Sequence, residues 1–185
     1  SWATAAAWTV GGLASGPLHL GWIEHRDRHL RRPVYVPVAT GVGAFAVFYG
    51  GALVARRIPP LRKAVARVVR YADDIDESRL LATVCANAIA EEVFFRGGVY
   101  PSVSDRHAVV SSTALYALAT VPTRNPVLIA TAVAMGSTFA LQRRASGGVQ
   151  APVLTHLTWS ILMVRTIPRL LREDTLPQPS ARRGA

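Results

Sequence analysis

Two adjacent carboxylates and an arginine stand in an otherwise apolar stretch, NAIAEEVFFRGG, at residues 87–98. Glu92 and Arg96 are four residues apart, so on a helix they face the same side and can form a buried ion pair. Glu91 is not part of this pair, because adjacent residues point about 100° apart around a helix. A carboxylate without a partner in a site of low dielectric constant suits a general base acting on water. The alternative is that Glu91 lies near a membrane surface and is solvated.

A second chemical candidate lies in a late apolar run, GVQAPVLTHLTWSILMV, at residues 148–164. It contains His156, and Ser160 follows one turn later on the same helical face. A single histidine on an apolar helix is usually a core residue with satisfied hydrogen bonds. Membrane interiors rarely carry unpaired ionisable groups, however, so His156 and Glu91 together favour a site that holds a hydrolytic water.

These candidates belong to a chain of 185 residues that is 50% hydrophobic and only 17% charged. Asp, Glu, Lys and Arg are absent from five long segments: 1–23, 33–55, 107–123, 125–142 and 145–164. A helix needs about 17–25 apolar residues to cross the hydrocarbon core of a membrane. The pattern therefore predicts an all-α, polytopic bundle in the cell membrane rather than a soluble helical bundle.

About six spans are predicted, and the first is interpreted as a span rather than a signal peptide because it has no basic start. The spans fall near 2–22, 34–55, 80–100, 107–121, 126–142 and 149–166. After Pro59-Pro60, apolar and basic residues separate onto two sides, which predicts an amphipathic helix in the membrane interface. The segment ADDIDES is expected to form a turn and cap the next helix. Residues 1–57 are assigned to the N-terminal spans, 58–166 to the core, and 167–185 to a basic, disordered tail.

The formal net charge of +10 has two interpretations. Nucleic-acid binding would require a basic patch on a soluble face, whereas here the arginines flank the apolar runs, as the positive-inside rule describes. The partner expected from this pattern is therefore the lipid bilayer, and not nucleic acid. Placing 56–79 and the tail in the cytoplasm leaves the arginine-rich loop 24–32 on the wrong side, so the path of the first two spans stays open.

The segment EEVFFRG resembles the EExxxR motif of the CPBP (Abi, CAAX protease-like) family, intramembrane proteases related to the type II CAAX prenyl endopeptidases. HLTWS, from His156 to Ser160, is similar to the late HxxxN motif, with serine in place of asparagine. The middle FxxxH motif aligns with Tyr116 to Thr120, where threonine replaces histidine. The resemblance covers about residues 58–166.

This resemblance implies a metalloprotease-like hydrolase with Glu91 as the base that activates water and Glu92 and Arg96 as the supporting ion pair. His156 would orient water, bind metal or stabilise the oxyanion, and Ser160 would donate one hydrogen bond to it. Zinc bound by Glu91 and His156 and a metal-free mechanism both remain open, because Thr120 is a poor zinc ligand.

The sequence is compatible with three functions. The first is intramembrane hydrolysis of a peptide bond near the membrane surface. The second is a catalytically silent relative that binds a peptide or membrane protein, which the Thr120 replacement favours. The third is a small transporter or channel subunit with Glu91 and His156 as a proton relay. Thr113, Tyr116 and Thr120 share one helical face, where they either line the site or bond back to their own helix.

Overall fold

The computed structural model describes residues 1–24, 29–70 and 75–173, and this part of the chain is almost entirely helical, which confirms the all-α prediction. Its α-helices are α1 (Trp2–Ala14), α2 (Tyr35–Ala55), α3 (Pro59–Arg70), α4 (Glu77–Glu92), α5 (Ala108–Thr120), α6 (Pro126–Ser146) and α7 (Gln150–Glu173). A π-helix (Val93–Val99) and a 3-10 turn (Tyr100–Ser102) continue α4, and a second 3-10 turn (Val121–Thr123) follows α5. Two short antiparallel strands, β1 (Ile23–Glu24) and β2 (Leu30–Arg31), precede α2.

Helix α7 is the element around which the others are arranged. It packs against α2, α4 and α6, while α1 lies against α4 and the π-helix, and α5 lies against α6. Near the C-terminal part of α7, Ile167 and Leu170 are buried against Ala52 of α2. The polar residues of interest lie at the other end of α7, close to where α4 passes into the π-helix.

The amphipathic helix predicted after the two prolines is present as α3, which begins at Pro59. Its Ala64 carbonyl accepts a buried hydrogen bond from Asn125, the residue that caps the start of α6. The cap expected from the segment ADDIDES is present, and Asp76 is the residue that caps α4. Hydrogen bonds from the Ser78 side chain and the Arg79 backbone lower the pKa of the Asp76 carboxyl. Residues 71–74 of the predicted turn lie outside the described residues.

Two helix boundaries differ from the sequence-based prediction. The first helix was expected over 2–22 but ends at Ala14, because Gly16 and Pro17 follow and neither continues a helix well. The last helix continues beyond 166 to Glu173, into the segment assigned to the tail, because Ile167 and Leu170 have core partners in α2. Residues 174–185 of that segment lie outside the described residues.

Within the described part of the chain, α2 is the one helix that is long and apolar enough by itself to cross a membrane. Helices α1 and α5 have 13 residues each, about 20 Å at 1.5 Å per residue, which is shorter than a hydrocarbon core of about 30 Å. The count of about six spans therefore stays a prediction.

The residues after α1 form an extended strap, defined here as His19–Trp22, along the loop between α6 and α7. Trp22 donates its backbone N–H to the Ser146 carbonyl at 2.8 Å, and the N–H of Val149 donates to the His19 carbonyl at 2.8 Å. Ser146 ends α6, whereas Asn125 at its start contacts α3. The strap and α3 therefore lie at opposite ends of α6. The arginine-rich segments next to them are thus at opposite ends of the bundle, whereas the positive-inside rule would place both on one side of the membrane. Residues 25–28 of the first loop lie outside the described residues.

Substitution Gly148→Ala is expected to disrupt the docking of the strap. A Cβ at Gly148 would lie 2.1 Å from the Gly21 nitrogen, and backbone atoms cannot move away as a side chain could. We expect a loss of about 1–3 kcal/mol in the free energy of unfolding, measured by thermal unfolding in detergent. Gly43→Ala in α2 is the matched control, because nothing lies within 4 Å of its added Cβ. Equal stability of both variants would contradict the observed packing of the strap.

Candidate active site

A fully buried carboxylate, Glu92, connects the end of α4 to two other parts of the fold. Its Oε1 accepts a hydrogen bond from Arg96 Nη1 at 3.3 Å and lies 2.9 Å from His156 Nδ1. Its Oε2 is 3.3 Å from Arg96 Nε, in an ion pair without hydrogen-bond geometry. Both Glu92 and Arg96 have an exposed fraction of 0%. The ion pair expected from their spacing is therefore present, and His156 joins it.

The arginine is held by a local change in helix type. Arg96 lies in the π-helix that begins directly after Glu92, and short π-helical segments inside α-helices occur frequently at functional sites. Neighbouring helices bind two consecutive carbonyls of this segment: Ser112 Oγ donates to Phe95 O at 3.0 Å, and Arg143 Nε donates to Arg96 O at 3.0 Å. These bonds fix the π-helix against α5 and α6.

Three aromatic rings and a backbone carbonyl enclose the Arg96 guanidinium. Its Cζ lies 4.9 Å from the Tyr116 ring centroid, 5.2 Å from that of Phe139 and 5.9 Å from that of Phe95. Its Nη2 donates to the carbonyl of Gly136 at 2.8 Å. Cation–π contacts of this kind stabilise a cation more strongly when it is desolvated. The buried positive charge is thus compensated from several sides, not by Glu92 alone.

His156 is fixed in the same cluster by its ring and by one nitrogen. The ring stacks on Phe139 with a centroid separation of 4.6 Å and an interplanar angle of 22°. Because Nδ1 faces Glu92, Nε2 is the nitrogen left for another partner. The residue is 5% exposed, and thus nearly enclosed.

Glu91 differs from its neighbour in burial and in partner. Glu91 is only partly buried, whereas Glu92 is fully buried. Tyr116 of α5 donates its hydroxyl to Glu91 Oε2 at 2.8 Å. The two adjacent glutamates therefore have separate surroundings, and Glu91 is the one that keeps part of its surface exposed.

The remaining predicted site residues have different positions. Ser160 is buried at 6% exposure on α7, and no described residue forms a hydrogen bond with its hydroxyl. Thr120 donates its hydroxyl to the Tyr116 carbonyl at 3.0 Å, a bond within its own helix. Thr113 is buried, and its Oγ1 has no hydrogen-bond partner in the described part of the chain. Among the polar residues on this face of α5, Tyr116 therefore bonds to Glu91, whereas Thr120 bonds to the backbone of its own helix.

The residues of this site do not fit a zinc ion with three protein ligands. Zinc at a catalytic site takes three protein ligands plus water. Among the described residues, no three His, Cys, Asp or Glu side chains are grouped so that they could hold a metal ion. Glu91 and His156 offer two donors, and the Thr120 hydroxyl is used within its helix. The assignment of Glu91 and His156 as metal ligands stays a prediction, and no chemical step is derived from it.

Sequence reasoning did not identify three residues that build this site. These are Ser112 and Arg143, which bind the π-helix, and Phe139, which contacts both Arg96 and His156. Ser112 and Phe139 have no sequence signal that separates them from other residues of apolar helices. Arg143 had one weak signal, because it is one of two adjacent arginines in the last turn of α6.

Comparison with known families found one match. Residues 78–162 match the family model described as "Type II CAAX prenyl endopeptidase Rce1-like". The match spans α4, the π-helix, α5, α6 and the first half of α7, the elements that carry every candidate site residue. No curated protein and no solved structure matches the chain.

The fold and the match together define a class, the helical membrane proteins related to CAAX proteases. Within that class, residues 78–162 of this chain match the Rce1-like family model, which confirms the resemblance stated from the EExxxR motif.

Substitution Glu92→Ala is expected to destabilise the protein more than Glu91→Gln does. It removes the carboxylate that compensates Arg96 and leaves a buried positive charge with its remaining partners only, at a cost of about 3–5 kcal/mol. Chemical denaturation in mixed micelles measures the free energies of unfolding of both variants.

The matched control is Glu77→Ala at the start of α4. Its carboxylate is 3.9 Å from Arg165 Nε, and both side chains are more than half exposed, so its loss should cost less than about 1 kcal/mol. Similar costs for Glu92→Ala and Glu77→Ala would show that Glu92 is not the structural carboxylate.

Proposed function

We propose that this protein is an intramembrane endopeptidase in which Glu91 activates a water molecule for hydrolysis of a peptide bond near the membrane surface. The observation that carries the proposal is the different burial of two adjacent glutamates. Glu92 is fully enclosed with Arg96 and His156, while Glu91 is partly exposed and is bonded to Tyr116, whose ring lies against Arg96. The match of residues 78–162 to a CAAX-type endopeptidase family supports it.

In this mechanism Glu91 accepts a proton from water as the water oxygen attacks the carbonyl carbon of the substrate. The attack forms a tetrahedral intermediate whose carbonyl oxygen carries the negative charge. When the C–N bond breaks, Glu91 returns the proton to the leaving amine. The reaction therefore needs only one carboxylate, which acts first as a general base and then as a general acid.

His156 and Ser160 provide the polar partners of this reaction. A neutral His156 ring that donates from Nδ1 to Glu92 has Nε2 as an acceptor, which suits the orientation of the attacking water. Ser160, whose hydroxyl has no described partner, lies one helical turn along α7 and donates to the oxyanion. Glu92 and Arg96 hold the histidine and the helix end, and Thr120 takes no direct part, because its hydroxyl is bonded within α5.

The substrate is a peptide or a membrane protein whose scissile bond reaches the site from the bilayer. The protein itself acts in the cell membrane as a multi-pass protein, with α3 at the lipid interface. The exposed basic side chains of α3, which include Arg62, Lys63 and Arg67, suit contact with lipid head groups.

A second function, binding of a peptide or membrane protein without cleavage, is favoured by one observation. Thr120 occupies the position of the histidine in the FxxxH motif, and its hydroxyl bonds to its own helix instead of facing Glu91. Such a protein would bind a peptide with equal affinity whether or not Glu91 carries a charge.

Substitution Glu91→Gln is expected to lower the rate of hydrolysis by about 10²–10⁴-fold, the contribution typical of a general base. The fold should persist, because the amide keeps the shape of the side chain and still accepts a hydrogen bond from Tyr116. The assay uses the protein in liposomes with quenched, membrane-anchored peptides, one set with a prenylated cysteine and one without. Cleavage is followed by fluorescence and by mass spectrometry.

Glu77→Gln serves as the control, since it makes the same chemical change at an exposed position of the same helix. Undiminished cleavage by Glu91→Gln would remove Glu91 from the mechanism. If the wild-type protein binds these peptides and cleaves none of them, the binding function replaces the endopeptidase.

Substitution Ser160→Ala is expected to lower kcat with little change in KM, because its hydrogen bond forms in the transition state. Loss of one oxyanion donor typically costs about 10²–10³-fold in kcat. Ser137→Ala in α6 is the control, as that exposed hydroxyl bonds only to Val133 O of its own helix. A rise in KM at constant kcat would instead make Ser160 a substrate-binding residue.

A further inference from the structure

One hydrogen bond of the site joins two helices and ends on the proposed base. Tyr116 of α5 donates its hydroxyl to Oε2 of Glu91 at the end of α4, with an O–O distance of 2.8 Å. This length is ordinary for a hydroxyl donor, and a carboxylate acceptor makes such a bond stronger than a neutral one. It is the contact by which a side chain of α5 reaches a carboxylate of α4 in the described part of the chain.

The Tyr116 ring is itself fixed by its surroundings. It meets the Phe95 ring edge to face, with centroids 5.1 Å apart and an interplanar angle of 72°. Arg96 Cζ lies 4.9 Å from its centroid. A Cβ on Gly136 would come within 3.0 Å of Tyr116 Cδ1, so the absence of a side chain there leaves room for the ring. The position of the hydroxyl is therefore set by the core and not by Glu91.

Other hydroxyl groups on the same face of α5 do not share this role. Thr120 bonds to the backbone of its own helix, and Thr113 Oγ1 has no partner in the described residues. Glu91 is partly buried and has freely rotating side-chain torsions unless a partner restrains them. Since Tyr116 engages Oε2, the other carboxylate oxygen is the one left to accept a proton from water.

We propose that Tyr116 is a positioning residue of the endopeptidase, whose hydroxyl holds the Glu91 carboxylate so that its second oxygen faces the attacking water. The inference rests on the proposed function for its effect on catalysis, but the contact itself does not. Tyr116 acts through Glu91 and touches no reacting atom.

Substitution Tyr116→Phe tests this role, because it removes one oxygen and keeps the ring under Arg96. We expect kcat for the membrane-anchored peptides to fall about 10–100-fold, the loss typical when a group that orients an active-site residue is removed. KM should change less than twofold. A purely structural role would instead lower the free energy of unfolding and leave kcat of the folded fraction unchanged.

An infrared measurement separates this inference from the proposed function. Carboxyl bands of protein labelled with ¹³C-glutamate are recorded, and the Glu91 band is assigned by its loss in Glu91→Gln. In Tyr116→Phe the band should shift, because the carboxylate loses a hydrogen bond. Tyr49→Phe is the matched control, since Tyr49 packs near Ala52 and Ile167 at the other end of α7, and its band pattern should equal that of the wild type.

Each outcome decides between the two proposals. An unshifted Glu91 band in Tyr116→Phe overturns the contact and with it the positioning role. A shifted band with unchanged kcat keeps the contact and overturns the role. If the band shifts in Tyr116→Phe but the wild-type protein cleaves no peptide, the endopeptidase proposal is overturned and the hydrogen bond stays in place.

Discussion

The buried pair of Glu92 and Arg96 is the interaction on which the site depends. Two full charges with 0% exposure would cost several kcal/mol each if they were left without partners. The fold compensates them by bringing three elements together: His156 of α7 at Glu92, the carbonyl of Gly136 of α6 at Arg96, and the Tyr116 ring of α5 beneath the guanidinium. The cost of burying these charges thus specifies how α5, α6 and α7 meet the end of α4.

The π-helix explains how one short segment serves these partners. It starts directly after Glu92, and its carbonyls at Phe95 and Arg96 accept side-chain bonds from Ser112 and Arg143. The Phe95 carbonyl also accepts the backbone N–H of Tyr100, so the side-chain bonds add to those of the helix itself. The departure from regular geometry is therefore held from outside by α5 and α6, the same helices that surround the arginine.

The two adjacent glutamates have different partners. Glu92 is committed to charge compensation and to holding His156, whereas Glu91 has one oxygen bonded to Tyr116 and remains partly exposed. Position 120 is a threonine, and within the described part of the chain the Tyr116 hydroxyl is the group of α5 that bonds to Glu91. Tyr116 is therefore the residue of α5 at which the chain's departure from the FxxxH motif can be tested.

The sequence by itself determined the helical class, the amphipathic α3, the Asp76 cap and the Glu92–Arg96 pair, because these follow from periodicity and from spacing within one helix. It also singled out Glu91 and His156 as polar residues in apolar runs. It did not determine that α1 ends at Ala14 or that the strap follows, since that path depends on hydrogen bonds to the distant Ser146 loop. Only the tertiary structure decided that His156 pairs with Glu92 while Tyr116 binds Glu91. Those choices depend on which helices are neighbours in space, and periodicity along one helix carries no information about its neighbours.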